Sequence, residues 1–132
     1  MSRDPKPTDD DYAQLLRFRD GLRQFLWWSE NQAKRSGLTP AQHQLLLAIR
    51  GHAGGAPSVG DVAQHLMLRH HSVVGLVDRA EACGLVTRVV DDDDHRVVRL
   101  ELTADGARRL AKLSAAHLDE LARFAELVRL VS

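Results

Sequence analysis

Up to Gly84 the apolar residues of this chain recur at helical spacing; they then alternate through two short runs, LVTRVV and RVVRLEL, and return to helical spacing after Thr103. One such change of period admits a single β-hairpin inside an otherwise helical fold. It excludes sandwiches, barrels and α/β sheets, which need many strands. Asp91 to His95 separate the two runs as a polar hairpin tip. The chain has 132 residues, enough for one hydrophobic core, so residues 1–132 are read as a single domain.

Three helix starts carry one signature. Thr8 with Asp11, Thr39 with Gln42 and Ser58 with Asp61 have capping-box spacing, and Pro40 takes a first helical position. Residues 8–36 read as one long helix, with Tyr12, Leu15, Leu16, Leu22, Phe25, Leu26 and Ala33 on its stripe and Gly37 as its stop. The helix AQHQLLLAIRGH follows, then a loop from Gly51 to Pro57 and a short helix from Ser58. A break from Met67 to His70 leads into HSVVGLVDRAEACG, with Gly84 as the stop. Two helices joined by so brief a turn are a helix-turn-helix candidate. Thr103 caps a last helix striped by Leu110, Leu113, His117, Leu121, Phe124, Val128 and Val131. The first and last helices are each roughly 40 Å long, more than a small lobe needs, so their apolar stripes call for a partner surface. The expected fold is mainly α with a small β-hairpin wing: a winged helix-turn-helix lobe over residues 38–102, extended by long dimerisation helices over 8–36 and 103–132.

Composition narrows the function. Eighteen basic and eighteen acidic residues give zero formal charge, so any nucleic-acid surface must be local. The one cysteine, Cys83, excludes an intrachain disulfide and fits a reducing cytoplasm. The start MSRDPKPTDDD reads as a frayed terminus without an apolar signal core, and no apolar run is long enough for a bilayer, so a cytoplasmic protein without membrane contact is expected. No nucleophile, base and orienting acid are recognisably spaced and there is no glycine-rich phosphate loop, so neither an enzyme nor a cofactor is expected. His65, His70 and His71 straddle a turn without i, i+4 pairing, and no metal is expected there. The aspartate run lacks the glycine and distal glutamate of a calcium loop.

The segments LTPAQHQLLLAI, SVGDVAQHLMLRHHSVVGLVDRAEACGLVTR and DDDDHRVVRLELTADGARRL resemble the MarR family of bacterial transcription regulators from Leu38 to Leu110. The most specific piece is Asp94-His95-Arg96 followed by LELTADG, which is similar to the family's D-x-R wing. The resemblance implies a homodimer with interlocked terminal helices, bound to pseudo-palindromic double-stranded DNA. It also implies repression as the usual action and a small-molecule effector pocket where these parts meet.

On the second helix of the helix-turn-helix, Val73, Leu76, Val77 and Ala80 share one side and close against the preceding helix. The other side carries His71, Ser72, Val74, Gly75, Asp78 and Arg79, with Arg69 and His70 in the turn before. A recognition helix presents its early residues to base edges, where Arg, His and Ser hydrogen-bond and Val74 meets a thymine methyl. Arg79, lower down, suits phosphate, or else pairs with Glu81 or Asp78. Gly75 stands where the family has a larger polar residue; it either permits closer backbone approach or leaves that base unread. Arg96 is the candidate for minor-groove insertion, held by Asp94. The four aspartates depart from the family's D-P-x-D-R-R pattern, which implies modest non-specific affinity or a wing tip turned from the backbone. Trp27 and Trp28 lie 100° apart on a helix, so one of them, with His43 where the family has an aromatic near its pocket, is the candidate effector lining. Two other functions stay open. One is an antirepressor-like module that binds protein, favoured by zero net charge, Gly75 and the acidic wing. The other is a redox or metal sensor on the same scaffold, through Cys83 or the histidines.

Overall fold

The computed structural model describes residues 6–129. The elements in order are α1 (Asp9–Arg35), α2 (Pro40–Gly51), α3 (Val59–Leu66), α4 (His70–Ala82), β1 (Val86–Val90), β2 (Val98–Leu102) and α5 (Ala104–Arg129). Among the described residues this is a winged helix-turn-helix, five helices and one antiparallel hairpin, as the change of period requires. Residues 1–5 of the expected frayed terminus and Val131 of the last stripe lie outside the described residues, as does the side chain of Val128. No helix among the described residues is long and apolar enough to cross a membrane.

The helix starts are held as their sequences dictate. Thr8, Thr39 and Ser58 each accept the backbone N–H three residues on, while Asp11, Gln42 and Asp61 reach back to the cap's own N–H. Thr103 works in two directions: its Oγ1 accepts the Gly106 N–H at 3.0 Å and donates to the Gly84 carbonyl at 2.6 Å. One hydroxyl thus caps α5 and ties it to the end of α4. Gly84 itself has φ +74°, which turns the chain out of α4 and lets the Leu85 N–H return to the Ala80 carbonyl at 3.0 Å.

Two boundaries differ from the sequence reading. His70 belongs to α4 rather than to the turn, because Arg69 is extended and takes the cap position. The turn bends at Met67, whose φ of 55° places a non-glycine residue in the left-handed region and shortens the connection to three residues. The hairpin tip runs from Asp91 to Val97, longer than expected, since Asp94 engages the backbone N–H groups of Arg96 and Val97 that a ladder would otherwise use.

The core lies between α2, α3, α4, the hairpin and the first turns of α5. Leu45, Leu46, Val62, Val73, Val77, Leu85 and Leu100 are fully enclosed, each worth roughly 1.5–3 kcal/mol of apolar transfer. α1 and α5 run antiparallel beside it: Phe25 meets Phe124 with ring centroids 5.3 Å apart, and Ser29 meets His117 nearer the core. Outside this contact Tyr12, Leu15, Leu16 and Leu26 of α1, and Leu118 and Leu121 of α5, remain exposed.

Gly106 is the most tightly placed of the described glycines. A methyl group there would meet the Leu85 carbonyl oxygen at 2.1 Å, a backbone atom that cannot swing aside. Gly106→Ala is therefore expected to destabilise the protein by about 1–3 kcal/mol, read as a lower urea midpoint at unchanged slope. A wild-type midpoint would show that α5 moves off the hairpin at no cost.

Candidate nucleic-acid interface

The buried side of α4 is Val73, Leu76, Val77 and Ala80, so the helix is rotated as its apolar pattern demands. The opposite side faces out. Arg69, His70, His71, Ser72 and Arg79 are exposed, while Val74 and Gly75 are half-buried. Among the described residues Arg69 and Arg79 have no ion-pair partner. No side chain caps α4, which leaves its first backbone N–H groups open at the positive end of the helix. Arg79 does not pair with its own helix, since another cation has taken both acids. Arg88 of β1 places Nη2 2.6 Å from Asp78 and Nη1 2.6 Å from Glu81. Burial works against the Arg88 charge, but the bonds to Asp78 and Glu81 outweigh it and raise its affinity for the proton.

The wing presents Arg96 with 91% of its side chain exposed. Asp94 grips the guanidinium with two bonds, Nε to Oδ1 at 3.0 Å and Nη2 to Oδ2 at 3.2 Å, and Oδ1 also accepts the Arg96 backbone N–H. Those contacts, the side chain's first, hold the Asp94 carboxyl below the usual carboxylate range. Asp91 is structural as well. It accepts the N–H groups of Asp93 and Asp94 and the Nε of Arg99, and the Asp94 N–H is the chief cause of its lowered pKa. Asp92 and Asp93 are exposed and have no ion-pair partner among the described residues. A cleft of about 410 Å³ separates His70 and Val74 of α4 from Arg96 and Val98 of the wing, with Arg88 also on its wall.

The candidate effector lining resolves differently for its members. Trp28 and His43 come together through a residue that sequence reasoning had placed only on a core stripe, His117: the ring centroids lie 4.8 Å and 4.9 Å from it. Trp27 points elsewhere and is 68% exposed. His117 donates Nδ1–H to the Leu113 carbonyl at 2.8 Å, and its Nε2 is hydrogen-bonded with the Ser29 hydroxyl 2.7 Å away. His43 is enclosed, and burial first, then the neighbouring His117, pushes its pKa down from 6.5 to about 4. A groove of about 410 Å³ opens beside Phe25, Trp28 and Phe124, with Gln24, Glu120 and Arg123 supplying its polar atoms.

Other features that invite chemistry stand apart. His65 pairs with His52, Nε2 to Nδ1 at 2.9 Å, and His52 lies 3.6 Å from Asp61. Asp61 is held charged chiefly by the Ser58 N–H and, further down, by His52 and Arg99. Among the described residues no three His, Cys, Asp or Glu side chains converge on a point that would hold a metal. Cys83 is exposed at the end of α4, with Gln42 Nε2 3.8 Å from its sulfur.

The sequence profile of the MarR family matches residues 36–97, the span from the end of α1 to the wing tip. Over that span the chain is similar to the MarR family. Among curated proteins it is similar to the HTH-type transcriptional repressor MdtR of Bacillus subtilis, 29% identical over 69% of this chain and 57% of that one. It is also similar to the transcriptional activatory protein BadR of Rhodopseudomonas palustris, 37% identical over 53% of this chain and 41% of that protein. The matched stretches thus span about half the length of these relatives. Among solved structures, a point mutant of S. aureus MepR bound to an oligodeoxyribonucleotide superposes with a TM-score of 0.68 at 22% identity, covering 96% of this chain and 86% of that one. CouR from Rhodococcus jostii RHA1, bound to p-coumaroyl-CoA, superposes at 0.63 with 27% identity over 70% and 64% of the two chains. These structures share the fold observed here.

His43 gives the site a measurable signature. Its folded pKa lies below its unfolded one, so the stability it permits is present above pH 6.5 and is lost as pH falls through the window toward 4. The loss reaches about 3 kcal/mol at most. Urea unfolding of wild type and His43→Leu across that window should show the variant's stability falling less by up to this amount; parallel curves would mean that His43 takes up its proton in place.

Proposed function

We propose that this protein is a DNA-binding transcription regulator of the MarR family that acts as a homodimer on a pseudo-palindromic duplex, most simply as a repressor released by a small-molecule effector. The observation that carries this is the outer face of α4. It is a row of exposed cations and donors, unpaired among the described residues, set beside a wing arginine already aimed by Asp94. Arg69, His70, His71 and Ser72 then face base edges, Val74 and Gly75 lie close to the groove floor, and Arg79 lies over phosphate. Arg96 enters the adjacent minor groove. The MepR complex with an oligodeoxyribonucleotide and the repressor MdtR support a duplex partner and this sign of regulation; BadR, an activatory protein, marks the other sign within the relatives.

Dimerisation assigns a role to the terminal helices, residues 8–36 and 103–132, leaving 38–102 as the reading lobe within one domain. The support is their exposed Tyr12, Leu15, Leu16, Leu26, Leu118 and Leu121, which a second copy would cover. Trp27, 68% exposed on the same helix, fits that surface better than an effector lining. Effector binding is assigned to Trp28 and His43 with His117 beside the α1–α5 groove, and the ligand-bound CouR supports a small-molecule partner. The role requires no catalysis, cofactor or resident metal, and it places the protein in the cytoplasm with DNA. A protein-binding module is the second reading, favoured by the exposed Asp92 and Asp93 at the wing tip.

Selection of random-sequence duplexes by the purified protein tests the proposal. A two-fold symmetric motif in the bound pool is expected; a folded, ligand-free protein that enriches nothing would turn the assignment toward the protein-binding module. On the selected duplex, Arg96→Ala should weaken binding by about 1–3 kcal/mol and relax preference at the flanking positions. Arg79→Ala should weaken selected and mixed-sequence duplexes alike and lower the salt slope by about one. An Arg96→Ala protein of wild-type affinity would remove the wing from the interface.

A further inference from the structure

The recognition helix carries two carboxylates beside the face assigned to DNA, and both are already spoken for. Asp78 is 61% exposed and Glu81 43%, three residues apart on α4, so their side chains stand one turn apart on the same side. Left alone, each would oppose a phosphate approaching Arg79. Arg88 reaches them from the middle of β1, where its backbone pairs with Leu100, and its planar fork gives one nitrogen to each acid at 2.6 Å. Only 28% of the Arg88 side chain is exposed, and both terminal nitrogens are directed to protein. The same strand continues into the tip that bears Arg96, and Arg88 lines the cleft between α4 and that arginine.

Resting on the DNA-binding role proposed above, we infer that Arg88 is a positioning residue for the duplex: it masks Asp78 and Glu81 and fixes α4 against the wing, and so sets DNA affinity without touching DNA. A lysine cannot replace it fully, because a point charge does not span two carboxylates with two parallel bonds. The alternative role, closing the turn around Gly84 for stability only, leaves the affinity of the folded protein unchanged.

The experiment compares wild type, Arg88→Gln, Arg88→Lys, the acid pair Asp78→Asn with Glu81→Gln, and the triple variant carrying Arg88→Gln as well. The probes are the duplex that wild type selects and a mixed-sequence duplex, titrated at several salt concentrations below each variant's unfolding midpoint. Arg88→Gln is expected to weaken binding to both probes by about tenfold while the salt slope stays at the wild-type value. Arg88→Lys should fall between. Removing the two acids should recover most of that loss in the Arg88→Gln background and change wild type little, a coupling that a purely stabilising bond does not produce. Unchanged affinity with a lowered midpoint would reduce Arg88 to a stabilising contact. A salt slope lower by one would make it a phosphate ligand, and equal gains from acid removal in both backgrounds would dismiss masking. If Arg88→Gln does not fold, the lysine variant and the acid pair still decide, because full affinity in the first or a large gain in the second overturns the inference. Wild-type protein that selects no sequence and binds neither probe defeats the DNA-binding role itself, a result distinct from any of these.

Discussion

Burial of Val73, Leu76, Val77 and Ala80 fixes the rotation of α4 about its own axis, and what the molecule offers a partner follows from that rotation. These four residues lie in the core against α2, α3 and the hairpin, where turning the helix by one residue would expose a valine and bury a charge. The exposed row from Arg69 to Arg79 is the geometric remainder of that packing. Local chemistry then refines it: an extended Arg69 without a side-chain cap leaves the first N–H groups open, and the left-handed Met67 keeps the preceding turn short.

The acidic wing shows how little a net charge says about a surface. Four consecutive aspartates suggest a tip that repels phosphate, but two of them are committed to the fold. Asp91 closes the turn by accepting two backbone N–H groups and anchors Arg99, while Asp94 orients Arg96 by both side chain and backbone. Among the described residues, Asp92 and Asp93 are the members of the run that stand exposed without an ion-pair partner. On α4 the same logic applies, since Asp78 and Glu81 are exposed in sequence terms and paired in three dimensions by Arg88.

The architecture was legible because it is written in short-range rules. Capping boxes at Thr8, Thr39 and Ser58, the stops at Gly37 and Gly84 and the change of period all concern residues within one or two turns of each other. The buried face of α4 was legible for the same reason. Contacts that join distant segments were not. His117 lies 88 residues from Ser29, and its place on an apolar stripe marked it as core, although a histidine among leucines at that spacing is itself a signal of a buried polar contact. Arg88 reaches across the α4 stop to Asp78 and Glu81, a pairing that needs the direction of β1 before it can be seen. Adjacent tryptophans could be separated in principle by their 100° offset, but only packing decides that Trp28 meets His117 and Trp27 faces out.

That same packing sets the terms on which a signal could pass between the two ends of the molecule. His43 belongs to α2, inside the reading lobe; Trp28 and Ser29 belong to α1, and His117 to α5. Their rings and hydroxyl are in contact, so a change in the angle between the long helices and the lobe must break or remake the His117 contacts with Ser29 and His43. Enclosure has made His43 a poor base, which keeps the junction uncharged on that side at neutral pH and leaves it held by rings and one hydroxyl rather than by ion pairs. The lobe itself is closed by enclosed leucines and valines and by the Thr103 hydroxyl bonded to the Gly84 carbonyl. In the homodimer proposed above, a respacing of the two lobes falls at the seam between His43 and His117.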